Sequence, residues 1–262
     1  MTGQTCLTAL PEEVRTVHID SVGADGEALL RPVHTVRPAS GTRGAVTLVH
    51  HRTGIDGFVE GVARRCLDAG LAVVVPDFFH GIAPHPDPEV RKAALRDDTL
   101  LSDLRQCASL TSDLADGRAP GILGFCMGGR IALLAVAAGL PYARACCFYG
   151  GAPRTSWGPG PSPIDRIGAG TRTVRSPLDI QFHRGTRDDY PSAADADALT
   201  TAVEDAGGQL QLCTYAGAAH AFMDPGRADC YHPEAAARAW ASAAAFLVGV
   251  PESVTAQTGE TV

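Results

Sequence analysis

Cys126 stands at the centre of GFCMGG, residues 124–129, with a glycine two positions to either side. A thiol on a sharp strand-to-helix turn is lifted clear of its backbone, and its neighbours must lack a Cβ because strand and helix crowd together there. The Met127 amide, at the start of the following helix, is placed to donate to an oxyanion, and the helix terminus biases the thiol toward thiolate. The same pattern also fits a small buried cysteine in a Gly-rich turn, so alone it decides nothing. Two later loops hold what such a thiol needs: residues 185–189 (GTRDD) offer Asp188 or Asp189, and residues 216–222 (AGAAHAF) offer His220. In the order nucleophile, acid, histidine, His220 would accept the Cys126 proton while the carboxylate fixes its tautomer and steadies the imidazolium.

These residues meet only if the intervening chain brings them to one edge. Short apolar runs at residues 45–50, 71–75, 120–123, 143–149, 178–183 and 210–215 read as buried strands. Helical stretches at 58–69, 89–116, 193–206 and 233–248, and the one that follows Cys126, alternate with them. Alternation of this kind predicts an α/β fold with a doubly wound, mostly parallel sheet and helices on both faces. Chemistry in such sheets gathers at the carboxyl ends of the strands, where His50, His51 and Arg52, the 77–81 segment, Cys126, Asp188 or Asp189, and His220 all fall. Residues 14–20 and 28–35 suggest a marginal hairpin. Residues 150–172, rich in Gly and Pro, predict a long loop or cap. The expected domain spans residues 13–250, between a flexible N-terminus (1–12) and a disordered tail (251–262).

Composition narrows the partner. The 262 residues, 45% hydrophobic and 19% charged, are those of an ordinary globular chain. A formal net charge of −7 gives no footprint for nucleic acid or an anionic membrane, which leaves a small molecule. No apolar run is long enough to span a bilayer, and the first residues lack a basic region followed by an apolar one, so the expected location is cytoplasmic, as monomer or homodimer. Of the eight cysteines, Cys66, Cys107, Cys146, Cys147 and Cys213 lie in apolar runs and read as reduced core residues. No Cys or His spacing suits a metal, and no cofactor is expected.

The ordered motifs resemble the dienelactone hydrolase family of α/β-hydrolases. GFCMGG is similar to its GxCxGG elbow, residues 183–188 (HRGTRD) to its HxGxxD turn, and residues 215–222 (YAGAAHAF) to its YxGAxHxF loop. The likeness runs from about residue 46 to 246 and takes in residues 75–81 (VPDFFHG), close to the family's PDL segment. It implies Cys126, Asp188 and His220 as nucleophile, acid and base, with Asp189 the second choice for the acid. It also implies the Met127 and Arg52 amides as oxyanion donors.

Departures from the family bear on substrate. Where its members usually carry a glutamate after the first core strand, this chain has His51, which either faces the site, as partner of the thiolate or second proton-transfer group, or points outward. The family's two carboxylate-binding arginines fall at Gly81 and near Asp224, and neither residue binds an anion as arginine does. A substrate without a carboxylate follows, held in a pocket of His51, His80, Phe79, Phe125 and Trp157, although Phe78 and Phe125 also suit the core. Arg130, on the elbow helix, reads as a solvated surface residue. The expected reaction is hydrolysis of a small ester or lactone, aromatic and polyketide-like ones included, through an acyl-thioester on Cys126. His220 would protonate the leaving alkoxide and then activate water. The same fold and residues would also serve acyl transfer, cyclisation or proton abstraction, and a noncatalytic ligand-binding or redox-sensing protein is a further reading.

Overall fold

A computed structural model of the protein describes residues 6–169 and 178–249; the expected tail at 251–262 lies outside them. Eight strands form one sheet in the order β1-β2-β4-β3-β5-β6-β7-β8. They are β1 (Arg15–Val22), β2 (Ala28–Val36), β3 (Gly44–Val49), β4 (Leu71–Pro76), β5 (Gly121–Phe125), β6 (Arg144–Phe148), β7 (Asp179–Gly185) and β8 (Gln209–Tyr215). β1 and β2 pair antiparallel, β2 joins β4 antiparallel, and the other pairings are parallel. β3, β4 and β5 are buried along their whole length, as the continuous apolar runs require of strands covered on both faces.

The connecting helices are α1 (Gly57–Asp68), α2 (Pro88–Ala93), α3 (Asp97–Leu114), α4 (Met127–Ala137), α5 (Pro163–Gly168), α6 (Ala193–Asp205) and α7 (Pro233–Val248). On α1 the buried positions Val59, Val62, Ala63, Cys66 and Leu67 repeat at helical spacing and face the sheet. With α7 this helix packs on one face, while α3, α4, α5 and α6 cover the other. All eleven residues of α4 are buried. From β3 the chain first winds outward to β4, then returns across to β5, so the order reverses between β3 and β5. The crevice where ligands bind in open α/β sheets lies at such a reversal.

Three expectations need correction. The helix foreseen over 89–116 is two helices, broken before Asp97, whose N–H donates to the Trp157 carbonyl (2.7 Å) and whose side chain is drawn into the interior. The N-terminus is not loose from Cys6 onward: Leu7 and Leu10 are buried, and the Ala9 N–H donates to Glu60 on α1 (2.9 Å). Cys66, Cys107, Cys146 and Cys147 are buried as expected, whereas Cys213 is only half-buried, because β8 is an edge strand. Among the described residues, no helix is long and apolar enough to cross a membrane.

Candidate active site

Cys126 is the residue between β5 and α4, with φ 54° and ψ −115°. That left-handed backbone is strained for a residue with a side chain, and it aims the thiol away from the sheet. Close backbone approach holds the turn. A Cβ on Gly124 would collide with the Gly128 carbonyl, and one on Gly128 with the Val49 carbonyl. β5 and β3 pair with Gly124 opposite Val49, so the segment after β3 lies beside the elbow.

His220, in the loop after β8, and Asp188, in the turn after β7, converge on this thiol. His220 Nδ1 donates to Asp188 Oδ2 (3.0 Å) and Oδ1 (3.3 Å), and its side chain borders the same cavity as Cys126. Asp188 is buried and its Oδ1 also accepts the Tyr190 N–H (2.9 Å), whereas Asp189 is exposed. Burial opposes a charge on His220, but the Asp188 hydrogen bond and the contact with Cys126 outweigh it and raise the imidazole pKa to about 9. Burial likewise opposes ionisation of Cys126, yet the His220 hydrogen bond and charge, the Met127 amide and the Arg52 charge hold the thiol below its ordinary value. Both directions favour a thiolate–imidazolium pair.

The second wall descends from β3. His50 is fully buried; its Nε2 accepts the Phe78 N–H (3.1 Å), so its proton sits on Nδ1 and is donated to the His51 carbonyl (2.8 Å). The Gly54 N–H donates to the same carbonyl (3.0 Å). In a planar trans peptide the carbonyl of one residue and the N–H of the next point in opposite directions, so these bonds also orient the Arg52 amide. Burial lowers the His50 pKa to about 4 and that of His183, which bonds Tyr215 and Gln181 beneath the site, to about 3. Unfolded, both imidazoles take up protons near their ordinary value while the folded protein does not. Their contribution is therefore complete above pH 6.5 and is lost as pH falls toward 4 and 3, about 3 kcal/mol for His50 alone at 1.4 kcal/mol per unit. Denaturant titrations at stepped pH check this; an unfolding free energy that stays flat from pH 6.5 to 4.5 would contradict it.

A cavity of about 280 Å³ opens between the two loops, bordered by Cys126, His220, Tyr149, Phe58, His51 and Arg52, with Thr53, Asp56, Ala221, Asp224 and Arg227 at its margins. His51 faces this space, but it is tied to Asp56 rather than to the thiol, with Nε2 2.7 Å from Asp56 Oδ2. Four expected lining residues do not border it. His80 is exposed and lines a separate narrow crevice with Arg31 and Asp103. Phe79 is buried against His50 (5.0 Å between rings) and beneath the Arg91 guanidinium (4.2 Å). Phe125, on a strand, turns into the core between Phe58 and Phe148. Trp157 lies under Arg130, 3.9 Å from ring centroid to guanidinium carbon, which pins the 150–158 segment to α4 instead of capping the cavity.

Arg130 is itself not a surface residue. It is fully buried and forms a two-pronged pair with Asp97 (2.7 and 2.9 Å), while its Nη2 donates to the Thr155 carbonyl (2.5 Å). Gly81 is exposed and has Leu29 as its nearest neighbour, while Asp224 does reach the cavity. Tyr149, missing from the sequence-based set, is the first residue after β6 and packs its ring edge-on to His220 (5.0 Å). Its position at a strand's carboxyl end was the available signal.

A profile of the dienelactone hydrolase family matches residues 32–250. The chain is 31% identical over 241 residues to a probable 2-oxo-3-(5-oxofuran-2-ylidene)propanoate lactonase of Bradyrhizobium sp., covering 86% of this chain and 91% of that one. It is 30% identical over 206 residues to a carboxymethylenebutenolidase of Rhodococcus opacus, covering 76% and 77%. Among solved structures, a putative dienelactone hydrolase from Klebsiella pneumoniae subsp. pneumoniae MGH 78578 superposes with a TM-score of 0.73 at 22% identity, over 91% of this chain and 99% of that one, a likeness of fold.

Proposed function

The chain belongs to the dienelactone hydrolase family and is a hydrolase of carboxylic esters or lactones, and from that premise we propose that it works through Cys126, His220 and Asp188 as nucleophile, base and acid. The observation carrying this reading is the meeting of Cys126 and His220 at one cavity, with His220 hydrogen-bonded to buried Asp188 (3.0 Å). Sulfur attacks the acyl carbon. The Met127 amide, at the first position of α4, and the Arg52 amide, oriented through the His51 carbonyl, receive the negative charge of the carbonyl oxygen. As the C–O bond breaks, the His220 imidazolium gives its proton to the leaving oxygen, and the acyl group remains on sulfur until water releases it.

The substrate is a small ester or lactone without a carboxylate beside the reacting carbon. Both arginines at the cavity are engaged, Arg52 with Glu89 (3.0 Å) and Arg227 with Asp229 (3.2 Å), and Asp224 repels an anion. Its aromatic surface comes from Phe58 and Tyr149, and the rest of the wall is polar, which favours a small oxygenated acyl group over a flat aromatic one.

The test is mass analysis after brief exposure to p-nitrophenyl acetate, with hydrolysis followed across pH. An acetyl group is expected on Cys126, and none would be expected at Cys66 or Cys147, whose thiols burial drives up. Activity rises through the lowered Cys126 ionisation as pH increases and falls through about 9 as His220 loses the proton the leaving group needs. Asp188→Asn removes the largest influence raising that upper limit, so its falling limb moves to lower pH. Acetylation confined to other residues would refute the assignment.

A further inference from the structure

The cavity holds a second histidine–carboxylate pair that the reaction above leaves unused. Thr53 Oγ1 donates to Asp56 Oδ2 (2.7 Å), so its contact with His51 Nε2 (2.8 Å) must be donated by the ring, and the same N–H also reaches Asp56 (2.7 Å). The imidazole proton is thus fixed on Nε2. Among the described residues Nδ1 has no hydrogen-bond partner, and it is not closed off from solvent, on a side chain bordering the cavity. Asp56 is oriented by its own bonds although more exposed than Asp188: it caps α1, its Oδ1 accepting from Phe58 N (3.1 Å) and Val59 N (3.2 Å). Its carboxyl stays ionised despite part burial, because His51, Thr53 and the Val59 amide favour the charge, bringing it to about 2. The His51 ring packs on Phe58 (5.2 Å), much as His220 packs on Tyr149. The two pairs have the same construction: an oriented carboxylate, one committed ring nitrogen, an aromatic support, and a second nitrogen on a ring that borders the cavity.

They differ in what that second nitrogen meets. The His220 charge acts on the Cys126 thiol, whereas the second nitrogen of His51 is left without a partner, on a ring that lines the cavity together with Arg52, whose amide is assigned to the acyl oxygen. We propose that His51, oriented by Asp56, is a second general base that accepts the proton of the water attacking the Cys126 acyl-thioester. Water's oxygen bonds to the acyl carbon, its proton passes to Nδ1, and the Asp56 carboxylate steadies the resulting imidazolium. The C–S bond then breaks with its electron pair on sulfur, regenerating the thiolate; the carboxylic acid product departs, His51 releases its proton to solvent, and His220 takes one up to restore the resting pair. This rests on the acyl-enzyme reading of the preceding subsection.

His51→Gln separates the two half-reactions. With p-nitrophenyl acetate in rapid mixing, release of acetate from Cys126 is expected to slow by about 100-fold, more than acetylation slows, so that the acetyl-enzyme accumulates. Hydroxylamine, a nucleophile that needs no base, is expected to restore turnover in the variant far more than in the wild type. Asp56→Asn, which keeps a cap on α1, is expected to reproduce the slow release. Equal loss in both half-reactions without hydroxylamine rescue would mean that His51 only props the loop, and unchanged release would leave water to His220; either overturns the proposal. Wild-type turnover by Cys126→Ala would instead overturn the acyl-enzyme reading beneath it, so the two failures are distinguishable.

Discussion

Replacing Cys126 with alanine is expected to lower kcat/KM for ester hydrolysis by roughly four orders of magnitude or more, because members of a nucleophile–base–acid set act as a unit. Stability should barely change. The side chain is half-buried and borders the cavity, and the flanking contacts that hold the elbow are backbone to backbone. Removing the thiolate also removes a hydrogen bond and a charge that raise the His220 pKa, so its titration in the alanine variant should shift downward from about 9. Steady-state kinetics, thermal unfolding and NMR titration of the imidazole check these together. Activity within tenfold of wild type, with an intact fold, would show that the thiol is not the nucleophile.

The largest expected loss of stability lies outside the cavity. Asp97→Ala strands the Arg130 guanidinium in an interior from which water is excluded, with the Thr155 carbonyl and the Trp157 face as its remaining partners. Breaking a buried pair by deleting one partner costs about 3–5 kcal/mol, a large share of the stability of an ordinary domain. The double replacement Asp97→Leu with Arg130→Met should recover much of that loss, since two well-packed apolar side chains leave no charge unpaired. Urea denaturation of the single and double variants measures both. A single variant destabilised by less than about 1 kcal/mol would show that the pair contributes little, a value ordinary for exposed ion pairs.

What could be read from sequence follows a physical division. Strands and helices with one buried stripe declare themselves by period, and Cys126, Asp188 and His220 lie on loops whose order the architecture constrains. The Asp97–Arg130 pair carries no such signature. Its partners lie 33 residues apart on separate helices and meet only once α3 and α4 pack, so Arg130 read as a surface residue and the break before Asp97 was invisible. The pocket failed for a related reason. Position at a strand's carboxyl end says that a residue is near the site, but not which way its side chain turns: Phe79 turns onto His50, and Phe125, still within β5, points into the core. Asp56 was not singled out from the sequence: it caps α1, and its second bond, back to His51, depends on how tightly the intervening turn closes.

The burial of the cysteines has a consequence for reagents rather than substrates. Cys66, Cys107, Cys146 and Cys147 sit in a medium that resists charge, Cys230 is affected by desolvation and then by its contact with Asp229, and all five thiols are driven upward. Cys126 is pulled the other way by an adjacent cation. To a soft electrophile at neutral pH, these six thiols therefore present a single ready nucleophile, selected by local dielectric and charge, so that a broad-spectrum alkylator at low dose would distinguish it from the other five.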